Sequence, residues 1–225
     1  MGTDDLFRKR KARNTKALSR QREMRESYDK VLVVCEGEKT EPHYITALRD
    51  HFGLAQANIK IDPKSDSSPT SVVAYAKELI AANKTDPFDH VYCVIDRDRH
   101  ADFQKAVDQV NGFRSKDTKL HLIVSNPCFE YWILLHFVYT TKAFGASGDS
   151  PCQELISSEL KKYIPDYVKG DASIMTDLVS NQLGTALANA QRSYAEAVRN
   201  GIDNPKTEMH ILVEYLKDLK NESTV

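Results

Sequence analysis

The chain lacks most of the features that would assign a protein at sight. In its 225 residues there is no run of about 18 apolar residues, so no membrane-spanning helix is expected. The N-terminus opens in charge, without the apolar stretch of a secretory leader. No two cysteines stand in Cys-x-x-Cys spacing: Cys35, Cys93, Cys128 and Cys152 are widely separated, and Cys35 and Cys93 sit inside apolar runs where the residue acts as a small hydrophobe. A thiolate zinc site is therefore not expected, and a reduced, cytoplasmic setting is the simplest reading. No phosphate-binding Walker loop or Gly-rich dinucleotide fingerprint is present. No Ser or Cys lies in a strand-to-helix elbow with histidine support, which argues against covalent hydrolase chemistry. Internal repeats and low-complexity blocks are also missing.

What is present is an uneven distribution of charge. The formal net charge is only −1, with 31 basic against 32 acidic residues. Residues 1–29 nevertheless hold nine basic side chains against five acidic ones, leaving the remainder net acidic. A basic arm on an acidic body suits an anionic partner such as nucleic acid, although a solvated tail has the same composition. This stretch has no sustained apolar face and is expected to be a flexible arm, or a helix formed on contact.

From Lys30 the pattern alternates strand and helix. Residues 31–35 form a continuous apolar run, as in a parallel strand covered on both faces. A polar turn from Glu36 to Thr40 leads into a helix with Tyr44, Ile45, Leu48 and Phe52 at helical spacing, ended by Gly53. Residues 59–61 make a second strand. Ser68-Pro69 opens a helix carrying Val72, Val73, Ala76, Leu79 and Ile80. Residues 90–95 form a third strand terminated by Asp96, followed by a helix from Phe103 that stops at Gly112. Residues 120–124 are a fourth strand, and Asn126-Pro127 begins a fourth helix running to His136. This order predicts an α/β fold with a parallel sheet and helices on both faces. Beyond residue 138 the chain reads as helical, with Asn204 as cap and Pro205 in the first turn of the last helix. Three parts are expected: a basic arm (1–29), an α/β core (30–137) and a helical portion (138–225) packed on that core.

The chemistry gathers at two strand ends. Asp96-Arg97-Asp98 follows the third strand, where two carboxylates one residue apart can turn into one pocket. Glu36-Gly37 follows the first strand, and ligands of parallel sheets bind outside the carboxyl ends of the strands. Hard oxygen donors of this kind suit Mg²⁺ or Mn²⁺. Glu36 can ligate such an ion or move a proton. Glu41 is close enough to support the site. Lys39, Arg97, Arg99 and His100 bring positive charge to its rim, as phosphate binding requires. Asn126 and Glu130, four apart at an expected helix start, could orient the pocket, and His210 could reach a phosphate. The bland alternatives are a charged turn neutralised by its arginines, a buried cap, and a structural helix histidine.

These residues carry a resemblance. Glu36-Gly37 after one strand and Asp96-Arg97-Asp98 after a later one resemble the Toprim fold of topoisomerases, primases and overcoming-lysogenization-defect nucleases. With residues 36–44, 125–137 and 204–210 in order, the chain from about Lys30 to Leu219 resembles the RloB-like proteins, which relate to an abortive phage-infection component. The wider Toprim pattern often continues Asp-x-Asp-x-Gly, whereas Arg99-His100 stands at its end here. The resemblance implies a Toprim metal centre, with Glu36 as general acid or base and possible ligand and Asp96 and Asp98 as the metal-binding pair. It further implies a role in bacterial antiviral defence beside an ATPase of the ABC/AAA type. The expected activity is Mg²⁺-dependent cleavage of RNA, possibly tRNA, or DNA. The competing expectation is a non-catalytic sensor or adaptor that binds metal and phosphate and regulates the ATPase.

Overall fold

The computed structural model of the chain describes residues 27–63, 68–97, 100–145 and 150–220. The expected arm lies outside these residues up to position 26. Its last members do not behave as an arm. Tyr28 is buried, its hydroxyl accepts from the Ala55 backbone N–H at 2.5 Å, and its carbonyl accepts from Asn58 Nδ2 at 2.7 Å.

The elements run in the expected alternation: β1 (Val31–Cys35), α1 (Thr40–His51), β2 (Ile59–Pro63), α2 (Pro69–Ala82), β3 (His90–Asp96), α3 (Phe103–Asn111), β4 (Lys119–Asn126) and α4 (Phe129–Leu134). There follow α5 (Pro151–Ser158), a 3₁₀ turn (Leu160–Lys162), α6 (Ala172–Asn200), β5 (Lys206–Thr207) and α7 (Met209–Asp218). The sheet order is β2-β1-β3-β4-β5, parallel throughout except for β5. The architecture is thus α/β, mostly parallel, with a helical C-terminal portion. No described helix is long and apolar enough to cross a membrane.

Because side chains alternate along a strand, each face of the sheet collects its own core. Val31, Val33, Cys35, Tyr92 and Val94 face α1 and the helices of the C-terminal half. Leu32, Val34, Val91, Cys93 and Ile95 face α2 and α3. All five β1 residues are fully buried, and each of the larger ones contributes on the order of 2 kcal/mol. On the second face α2 is capped by Ser68, whose hydroxyl accepts from the Ser71 N–H, with Pro69 pre-set for the first turn. On the first face Leu155, Leu160, Met175, Leu178 and Leu212 share one core with β1. The helical half is therefore a continuation of the core rather than an appendage.

Two expectations change here. The helix expected from Asn126-Pro127 starts only at Phe129, because Ser125 and Asn126 remain strand, paired antiparallel with Thr207 and Lys206. Asn204 does not cap a helix and Pro205 does not open one. The Asn204–Pro205 peptide is cis and leads into β5, and α7 begins at Met209. Asn204 instead exchanges side-chain hydrogen bonds with the Phe144 backbone. A two-residue strand has no periodicity to read, so β5 was invisible to pattern analysis.

Candidate active site

The order β2-β1-β3 means that the chain leaves β1 to one side and returns on the other. The carboxyl ends of β1 and β3 therefore frame a topological switch point, the crevice where such sheets bind ligands. Glu36 directly follows β1 and Asp96 ends β3. The Glu36 backbone N–H donates to Val94 O at 3.0 Å, extending the ladder by one residue. Its carboxylate Oε2 accepts from the Asp96 backbone N–H at 3.0 Å. Two residues 60 positions apart are thereby locked together at one sheet edge.

A cavity of about 450 Å³ opens here, lined by Glu36, Glu41, Asp96, Glu130, Lys39 and Lys169 among others. Glu41 enters from the first turn of α1, where a carboxylate is favoured by the helix dipole. Its approach depends on Gly37, since a Cβ at that position would overlap the Glu41 carboxylate. Glu130 enters from α4 and is 2 % exposed. Its Oε1 receives Lys169 Nζ at 2.9 Å and the Tyr167 hydroxyl at 3.3 Å. Lys169 is placed by the turn at Gly170, whose φ is +81° and whose carbonyl accepts from His43 Nδ1 at 2.9 Å. His100 Nε2 lies 3.3 Å from the other Glu36 oxygen.

The electrostatics are those of crowded carboxylates. Burial pushes the Glu41 carboxyl up to about 7, with Glu130 and Glu36 adding to the rise and Lys169 opposing it. Burial holds Asp96 well above the ordinary carboxylate range, helped by the negative charges of Glu41, Glu130 and Glu36. Burial would lower the Lys169 ammonium, but Glu130, Asp96 and Glu41 outweigh it and the net direction is upward. Such a set disfavours its own ionisation unless a cation shares it. Hard oxygens converging on one cavity with excess negative charge fit a divalent ion of the Mg²⁺ or Mn²⁺ type.

The structure brings Glu36, Asp96, Glu41, Glu130, Lys39 and His100 to this edge. Asp98 and Arg99 lie outside the described residues. Arg97 turns away: its guanidinium stacks over the Phe103 ring at 4.3 Å and its Nε reaches Asp203 at 4.0 Å. Asn126 does not orient the pocket either, since its amide donates to Asp203 at 3.3 Å. His210 is not a phosphate ligand of this pocket. It is 6 % exposed between α6 and α7 against Tyr194, and burial pulls its imidazole pKa down. His136 is likewise structural: its Nδ1–H donates to the Trp132 carbonyl, its Nε2 accepts from the Tyr44 hydroxyl, and burial lowers it to about 4.

Sequence reasoning missed Lys169 and Tyr167. Both sit in the irregular stretch before α6, where no periodicity singles out a residue, and only Gly170 hints at a turn. It also missed the proximity of Cys128 and Cys152, which are 24 residues apart. The starts of α4 and α5 bring their Cα atoms to 5.7 Å and their sulfurs are bonded. The reduced setting read from the sequence does not describe this pair, whereas Cys35 and Cys93 are buried and free, as their place in apolar runs suggests.

Neither a curated protein nor a solved structure matches the chain. A family described as RloB-like protein matches residues 31–216, which takes in every described strand and helix except the end of α7. The chain belongs to the RloB-like family.

Proposed function

We propose that the cavity between the ends of β1 and β3 is a divalent-metal-dependent phosphodiesterase centre that cuts RNA or DNA. The observation that carries this reading is the junction of Glu36 with the Asp96 N–H, with the Glu41 carboxylate in the same cavity. Glu36, Asp96 and Glu41 would hold Mg²⁺ or Mn²⁺, and Asp98 is a candidate fourth donor from its place beside Asp96 in the sequence. The chemistry such an ion supplies is neutralisation of the carboxylates and polarisation of a phosphate.

The chain's own residues would do the rest. Glu36 sits between an N–H that fixes one oxygen and His100 beside the other, so a proton can be held or released at Oε1. Lys39, on the rim, and Lys169, half-exposed, offer positive charge to a phosphate backbone. Glu130 holds Lys169 in place. A role as an effector in bacterial antiviral defence, with an ABC/AAA-type ATPase partner in the cytoplasm, is supported by the family resemblance.

A second reading has its own observation. Lys169 already pairs with Glu130, so the pocket is partly neutralised from within. That suits a sensor or adaptor which binds metal and phosphate without turnover. Incubation of the purified protein with tRNA, plasmid and single-stranded DNA, with Mg²⁺ or Mn²⁺, separates the two. The nuclease reading expects cleavage that falls about 10²–10⁴-fold in Glu36→Gln and is lost in Asp96→Asn, while both variants keep the wild-type circular dichroism. Cleavage retained in Asp96→Asn would overturn it. Metal-dependent binding without turnover on all three substrates would favour the adaptor.

A further inference from the structure

The sulfur pair takes no part in the chemistry above, yet it touches the wall of the same pocket. Cys128 precedes α4 and is 1 % exposed, whereas Cys152, in the first turn of α5, is partly exposed. Cys152 Sγ lies 3.2 Å from Glu130 Oε2 and 3.6 Å from Lys169 Nζ. Cys152 is therefore the more accessible residue of the two, Cys128 is buried behind it, and both members of the Glu130–Lys169 pair lie against the Cys152 sulfur. The Cα separation of 5.7 Å falls within the range that a disulfide bridges without backbone movement.

We propose that Cys152 and Cys128 form a thiol-modification site that alternates between dithiol and disulfide by exchange with a small disulfide of the glutathione class, and that this exchange tunes the pocket through Glu130. The coupling half of this proposal rests on the metal-centre reading above; the exchange half does not. In the first step the Cys152 sulfur attacks the small disulfide RS–SR, forming Cys152–S–SR and releasing RSH, which takes up the proton lost by Cys152. In the second step Cys128 attacks the Cys152 sulfur, the bond to the remaining RS group breaks, and a second RSH leaves with the Cys128 proton. Two protein thiols are oxidised and one small disulfide is reduced to two thiols. Exposure sets the order, since Cys152 is the more accessible residue of the two.

The consequence for the pocket follows from hydrogen-bond supply. As a thiol, Cys152 gains a proton to donate to Glu130 Oε2, from which its sulfur lies 3.2 Å in the disulfide form. As a disulfide it has no proton to give, and Glu130 depends on Lys169 and Tyr167. Lys169 lines the same cavity as Glu41 and Asp96, so a stronger claim on it by Glu130 draws positive charge away from those carboxylates. The disulfide form is the one expected to bind a divalent ion more tightly.

The test uses the full chain held in dithiothreitol or in oxidised glutathione. Thiols are alkylated after denaturation and counted by intact mass, and Mn²⁺ binding is measured by electron paramagnetic resonance. The expected count is four thiols reduced and two oxidised, with a Cys128–Cys152 linked peptide. Cys128→Ser should trap one glutathione on Cys152. Mn²⁺ affinity should rise about tenfold on oxidation of the wild type and not in Cys128→Ser. Four alkylated thiols in both states would overturn the exchange. So would a zinc ion retained by the reduced protein, since Cys128, Glu130 and Cys152 place ligand atoms within 4.8 Å of one another. Exchange with unchanged Mn²⁺ affinity would overturn the coupling. Exchange with no Mn²⁺ binding in either state would remove the metal centre, and the coupling with it, and leave the dithiol site standing.

Discussion

Two groups of charges sit at neighbouring strand ends of one sheet, and they are handled in opposite ways. At the end of β4 and β5, Asp203 meets Lys206 at 3.2 Å, Arg97 at 4.0 Å and the Asn126 amide at 3.3 Å. One acid is matched by two bases and a neutral donor, and Asp203 remains largely in water. At the end of β1 and β3, Glu36, Glu41, Asp96 and Glu130 converge, with Lys169 and Lys39 in the same cavity and the His100 ring beside Glu36. Glu41 is pushed up by burial and by the charges of Glu130 and Glu36, and Asp96 by burial and by the charges of Glu41, Glu130 and Glu36. The first arrangement is cheap and screened by solvent. The second works against folding unless something positive joins it, which is what the proposed metal centre requires.

The largest effect expected of this contrast is in pH. The folded-state pKa of Glu41 is raised from 4.5 to about 7, so the folded protein binds the proton more tightly than the unfolded chain. Stability contributed by the protonated group is fully present below 4.5 and is lost as pH rises toward 7, by about 3 kcal/mol in all. His121 and His136, whose pKa values burial lowers to about 4, run the opposite way as pH falls below 6.5. The comparison must therefore be made against Glu41→Gln, which leaves both histidines in place and removes the Glu41 contribution together with the part of the Asp96 rise that Glu41 causes, a change of the same sign. Denaturant unfolding without metal should show the wild type losing ground to Glu41→Gln across this window, and saturating Mg²⁺ should recover most of the loss. A pH-independent difference would remove the strained-pocket half of the contrast.

The next effect is at Lys169. Lys169→Met strips Glu130 of its ion pair and leaves a nearly inaccessible carboxylate with Tyr167 and the Cys152 sulfur as neighbours. Urea unfolding should show a loss of about 2 kcal/mol, the scale of a buried polar group left short of a partner. The smallest effect is at the balanced end. Asp203→Asn removes an acid whose partners are largely solvated, and its stability should stay within about 0.5 kcal/mol of the wild type. If Asp203→Asn cost more than Lys169→Met, the two ends of the sheet would have been told apart wrongly.

The legible parts of the protein were those with a period. The run at 31–35, the helix opened by Ser68-Pro69 and the strand stopped at Asp96 all appear where the pattern places them. Glu36, Glu41 and Asp96 could be singled out because each follows an apolar strand or opens a helix beside one. Asn126, Arg97 and His210 could not be placed correctly. Asn126 and Arg97 belong to the corner built by β5, a strand of two residues, and His210 is buried between α6 and α7.

The sequence by itself determined an α/β chain with acids at the ends of its first and third strands, because apolar periodicity dictates which residues enter a core and where strands must stop. Tertiary structure alone decided that β1 and β3 are neighbours across the switch point. It alone brought Lys169 into the cavity, and Tyr167 and the Cys128–Cys152 pair against Glu130 in its wall, from other helices and loops. Contacts of that kind depend on how helices pack over a sheet, and packing leaves no mark in the spacing of residues along the chain.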